Sequence, residues 1–163
     1  IYRDIRFAKD KTPYKPQFAV SFAREGAHRR GGYYLRVHPG DSLAACGFWK
    51  PNREDLLRIR RELEADAGPF REVFSGSAFK ATWGGLRGEV VKTAPRGFDS
   101  AHPDIDLIRH KQFLFVHPFT DAEVVAPDFL LKVDGLYRQI RPFFDLMSTV
   151  LTTNLDGESL LDQ

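Results

Sequence analysis

QFAVSFAREGAHRRGGYYLRVHPGDSLAACGFWKP, residues 17–51, decides the fold. Phe18, Val20 and Phe22 alternate with Gln17, Ala19 and Ser21, the period of two that a half-buried strand requires. GAHRRGG then supplies a glycine-rich turn and YYLRVH a second strand, with Tyr33, Leu35 and Val37 on one face. PGD makes another turn and SLAACGFWKP a third strand. Three short strands with tight links form an antiparallel meander.

Pro51-Asn52 ends the meander. Asn52 suits an N-cap, Asp55 suits the first turn, and Leu56, Ile59 and Leu63 follow at helical spacing, so an amphipathic helix is predicted over 53–66. Gly68-Pro69 stops it, and Pro69 opens a shorter helix carrying Phe70, Val73 and Phe74. KATWGGLRGEVVK, residues 80–92, reads as a further hairpin around Gly84-Gly85. APRGFDSAHP is an irregular loop, DIDLIRH a short helix entered through Pro103, and QFLFVHPF a buried strand. Thr120 to Glu123 fits a capping box. After Pro127, Phe129, Val133, Leu136 and Ile140 mark a long C-terminal helix, bent at Pro142 and continuing through Phe144 and Met147. The polar end, TTNLDGESLLDQ, is expected to fray. Helices and antiparallel strands mix without βαβ alternation, so the expected class is α+β: an antiparallel sheet packed against several helices.

The 163 residues form one domain, 1–163, with no internal repeat and no linker to divide it. A hydrophobic share of 42%, with 14 Phe, argues against disorder. The chain opens on Ile1-Tyr2, which reads as the inside of an element, so a native segment is expected upstream. The single Cys46 cannot pair within the chain, which favours a reducing compartment, read as the cytoplasm. No apolar run approaches the roughly 20 residues of a membrane helix. Net charge is only +2 and the pI about 8.8, weak support for a dedicated nucleic-acid domain.

Charge is unevenly placed. RDIRFAKDKTPYKP, residues 3–16, sets Arg3, Arg6, Lys9, Lys11 and Lys15 against Asp4 and Asp10. Pro13 and Pro16 make its second half an irregular loop feeding the first strand. Such a concentration of guanidinium and ammonium groups lowers the energy of a phosphate or carboxylate placed among them. Pairing of the same charges with one another or with carboxylates elsewhere in the fold is the stronger explanation of the pattern. A second polar concentration, KTAPRGFDSAHP, carries Lys92, Arg96, Asp99 and His102. Asp99 could orient His102 for proton transfer, although turn chemistry before a helix also accounts for both.

The remaining motifs favour structural readings. His28, His38, His102, His110 and His117 show no metal-binding spacing, and one thiol supplies no cysteine pair, so neither a metal nor another cofactor is implied. RRGGYYLR interleaves Arg29, Arg30 and Arg36 with Tyr33 and Tyr34, types that bind phosphates and stack on bases, yet a hairpin turn at Gly31-Gly32 with alternating strand aromatics accounts for them better. Gly31-Gly32 and Gly84-Gly85 lack the strand-loop-helix setting of a phosphate-cradling motif. Trp49 and Trp83 are read as core anchors, and Cys46 as a small buried hydrophobe.

IYRDIRFAKDKTPYKPQF, GGYYLRVHPG, GFWKP and KTAPRGFDSAHPDIDLIRHKQF, in that order, closely resemble the signatures of a bacterial, fungal and plant family called domain of unknown function 2461. The resemblance spans most of residues 1–113. It implies a further helical segment at the N-terminus, no established activity, and a signature role for the segments around Arg3 to Lys15 and Lys92 to Pro103. Ala44-Ala45-Cys46 stands where the family tends to carry glycines, which puts a close backbone approach at that strand in question.

The functional expectation is a pocket for a small anion formed where the positive segment meets the loop at 92–102, with Arg3, Arg6, Lys9, Lys11, Lys15, Lys92 and Arg96 as ligand-binding residues. The alternatives are an enzyme using His102 and Asp99, a nucleic-acid-binding module using Arg29, Arg30, Tyr33 and Tyr34, and an ion-pair network without a ligand. Oligomeric state is left open.

Overall fold

The structure, a computed structural model, describes residues 6, 7, 9, 14–154 and 158–161. Its sheet has four antiparallel strands in sequence order: β1 (Phe18–Ala23), β2 (Gly32–Val37), β3 (Ser42–Phe48) and β4 (Phe113–Phe119). The register sets Val20, Leu35, Ala44 and His117 in one row across the sheet and Phe22, Tyr33, Cys46 and Phe115 in the next. One face therefore carries most of the large apolar side chains of the four strands and all their phenylalanines, as the period-two pattern demands.

Seven helices appear among the described residues. Helix α1 (Arg53–Ala65) starts where Asn52 Oδ1 accepts the Asp55 backbone N–H at 2.8 Å, and buries Ile59 and Leu63. Helices α2 (Gly68–Ser75) and α3 (Ser77–Trp83) bury Phe70, Phe79 and Trp83. The short α4 (Ile105–Ile108) packs on α1. The capping box forms at α5 (Asp121–Val124), where a hydrogen bond from Lys132 and bonds from Thr120 hold the Glu123 carboxyl down to about 2. Helix α6 (Phe129–Gln139) leads into α7 (Arg141–Thr152), which contacts both α1 and α2. Phe143 and Phe144 of α7 are fully buried and meet Phe48 and Phe115 of the sheet edge-on, with ring centroids 5.1–6.0 Å apart. The chain is thus an α+β fold, one sheet face covered by helices. None of the described helices is long and apolar enough to cross a membrane.

The structure corrects four expectations. The hairpin over 80–92 is instead α3, because Phe79 and Trp83, one helical turn apart, both find the core, and Gly84 (φ +71°) ends the helix; residues beyond it pair with β4 and its approach in isolated bridges at Arg87 and Val90 rather than as a strand. The long bent helix is two helices, broken at Ile140, because Pro142 sits in the first turn of α7, where no N–H donor is needed. Strand β1 is exposed along its whole length rather than half-buried, because the covering helices reach the sheet only as far as Tyr33 of β2. The described part of the C-terminal segment folds back, with Leu160 N–H bonded to Thr152 O and Thr153 bridging Ser159.

A close approach does occur on β3, at Gly47 rather than at Ala44-Ala45-Cys46. Gly47 has φ +134°, and a Cβ there would lie 2.0 Å from the Phe113 carbonyl oxygen. Gly47→Ala is expected to cost about 3 kcal/mol in urea unfolding, from backbone strain plus overpacking. Gly84→Ala, strained but facing open space, is expected to cost only about 1 kcal/mol. Equal losses would contradict the β3–β4 contact.

Candidate functional site

Arg3 and Lys11, with Asp4 and Asp10, lie outside the described residues. Arg6, Lys9 and Lys15 are exposed, as are Lys92 and Arg96. Lys15 enters β1 at the corner where Phe18 pairs Val37, whereas Lys92 lies by Arg109, whose guanidinium donates to its carbonyl at 2.6 Å, just before β4 begins at Phe113. Those corners are separated by three strand spacings and the length of β4, about 25 Å along the diagonal. Lys15 therefore does not converge with Lys92 and Arg96 on a common pocket.

The loop at 92–102 is held by contacts of its own. Arg61 of α1 lies over the Phe98 ring at 4.7 Å and pairs with Glu64 at 2.6 Å. Asp99 Oδ1 accepts the Ala101 backbone N–H at 2.9 Å, a turn contact rather than a bond to His102. His102 Nδ1 accepts from Asp104 N–H at 3.1 Å, which leaves the hydrogen on Nε2 to donate to Glu64 O at 3.1 Å. Both ring nitrogens thus join backbone groups of α1 and the α4 entrance. Arg71 adds a fork onto Asp104 and Asp106 at 2.6 and 2.7 Å, and hydrogen bonds to Asp106 first and Asp104 second raise its pKa.

RRGGYYLR is divided by the sheet. Tyr33 faces inward against Tyr137 and Phe144, with centroids 4.7 and 5.0 Å away, while Tyr34 falls on the opposite face. Arg30 pairs with Asp55 and Arg36 with Asp41, both at 2.5 Å. No group of three or more His, Cys, Asp or Glu gathers among the described residues. Cys46 is 2% exposed, and burial pushes its thiol pKa up.

An exposed aromatic side chain stands at the end of β3. With Phe48 turned into the core, the next residue points the other way, so Trp49 is 61% exposed, whereas Trp83 is the buried anchor. The sequence reading of Trp49 as a core anchor is therefore corrected. The alternation of Cys46 and Phe48 was the signal that could have revealed it. Lys50 and Pro51 follow, leading to the α1 cap at Asn52.

Two shallow hollows adjoin Trp49 and share its Lys50-Pro51 rim. One, about 350 Å³, takes in Leu56, Arg60, Glu89 and Lys111; the other, about 310 Å³, takes in Arg30, Gly31 and Asp55. Lys111 pairs with Glu89 at 3.0 Å. Arg60 donates to Ile108 O at 2.9 Å and His110 O at 3.1 Å, and burial lowers its pKa. Lys50, exposed on the rim of both hollows, has no ion pair among the described residues. Arg30, Lys50, Arg60 and Lys111 outnumber Asp55 and Glu89, so the region is electropositive beside an exposed indole.

This stretch belongs to GFWKP, one of the segments that carry the family resemblance, and the match is now explicit. The family model described as conserved hypothetical protein (DUF2461) matches residues 1–146, and the chain belongs to that family. No curated protein and no solved structure is significantly similar to it.

His102→Ala is expected to lower stability by about 1–3 kcal/mol in urea unfolding, through two lost backbone contacts. An unchanged midpoint would show that the ring does not hold the loop.

Proposed function

We propose that the surface around Trp49 and Lys50 binds a small anionic ligand that carries a planar ring, with phosphate or carboxylate as its charged group. The exposed indole offers a face for stacking, worth about 1–3 kcal/mol for a nucleobase. Lys50 supplies the charge with no acid paired to it among the described residues, and Lys111 and Arg30 flank it in the two hollows. The single observation carrying this reading is the exposed tryptophan beside an ammonium group unmatched among the described residues, at the junction of two hollows. The structure offers less support for an acid-base enzyme built on His102, whose ring nitrogens are both bonded to backbone. A reducing, cytoplasmic setting suits the lone buried thiol.

A second reading, a single-stranded nucleic acid threaded across Trp49, is favoured by the openness of the hollows on both sides of the indole. It requires affinity that falls steeply with salt.

Adenosine monophosphate is a suitable probe because it joins a ring to a phosphate. Its titration is expected to quench tryptophan fluorescence. Trp49→Ala should weaken binding, followed by calorimetry, about 10- to 100-fold, and Lys50→Glu about tenfold. Inorganic phosphate alone should bind more weakly than the nucleotide. No binding at millimolar nucleotide, or equal binding by the Trp49→Ala chain, would overturn the proposal.

A further inference from the structure

Phe18, Val20 and Phe22 of β1 pair with Val37, Leu35 and Tyr33 and share their face of the sheet, the face the helices cover elsewhere. They are nevertheless 64%, 41% and 49% exposed. Leu130 stands on α6 two turns before Tyr137, whose ring rests on Tyr33, so helical periodicity places it along the same open side; it too is exposed. Among the described residues nothing pairs with the outer edge of β1, and the strand holds no Lys, Pro or bulge of the kind that protects an edge.

We propose that a second copy of this chain pairs with this edge, β1 of one protomer running antiparallel to β1 of its partner about a two-fold axis through Val20. The register is chosen by complementarity. It sets Phe18 opposite the partner's Phe22 on the apolar face, and Ala19 opposite the partner's Ser21 on the other. Just beyond the strand ends it sets Lys15 opposite the partner's Glu25, twice by symmetry. Lys15 and Glu25 are both exposed and have no ion pair within the protomer among the described residues. Shifting the register by two residues sets Phe18 against Arg24 or Lys15 against Ala23, and shifting it by one turns the aromatic faces to opposite sides. The Val20-centred register alone satisfies both the aromatic and the charged pairs. It joins the two sheets into one of eight strands and pools the six exposed apolar side chains of the two β1 strands on one side.

Light scattering coupled to gel filtration of the 163-residue chain, over a dilution series, tests this. The expected mass at high concentration is twice the 18.6 kDa of one chain. Val20→Lys, at an exposed site, brings two like charges together on the axis and should leave a monomer with an unchanged circular dichroism spectrum. Lys15→Glu and Glu25→Lys should each raise the dissociation constant about tenfold, and the double variant should restore it. A monomer throughout the series, a dimer indifferent to Val20→Lys, or a double variant that fails to recover would overturn the proposal.

Discussion

Strand β3, like β2, has a hydrogen-bonded neighbour on each side, but it is the more deeply buried of the two, so its pleat constrains the core most closely, and much of the rest follows from which of its side chains face inward. Ala44, Cys46 and Phe48 go in. Phe48 then meets Phe143 and Phe144, which fixes how α7 lies over the sheet. Gly47 admits the Phe113 carbonyl and lets β4 approach closely. The same alternation sends Trp49 outward, and the chain turns through Pro51 into the cap of α1. The interior and the open indole are two consequences of one register.

The sequence carried most of this wherever local chemistry is decisive. Asn52 caps α1 and Thr120 with Glu123 forms the capping box because those contacts span only three residues. Periodicity did less well where two patterns overlap. Gly84-Gly85 looks like a hairpin turn, but Phe79 and Trp83 sit four apart on one side of a helix, and burial of both in the core decides the outcome. The period of two in β1 was correct about which side chains share a face. It could not say whether helices extend far enough to cover that face, which depends on the reach of α6 and α7.

The site was less legible than the fold for a physical reason. A run of cations in sequence is a local sum, whereas an ion pair is made by residues far apart in the chain: Arg30 finds Asp55, and Arg71 finds Asp104 and Asp106. Among the described residues, Lys15 and Lys92 lie at separate corners of the sheet and His102 is tied to backbone. Lys50, which stands in no cationic run of the sequence, is left without an ion pair among the described residues, beside an exposed ring. Its setting follows from the end of β3 and the start of α1, a junction visible in sequence only once the inward side chains of the strand are assigned.

Trp49 and Trp83 are the two tryptophans of the chain, so collisional quenching by neutral acrylamide tests the β3 register directly. Trp83→Phe leaves Trp49 as the sole reporter, and Trp49→Phe leaves Trp83. Strong quenching of the first chain and weak quenching of the second is the outcome this register requires. A shielded Trp49 beside an accessible Trp83 would contradict it.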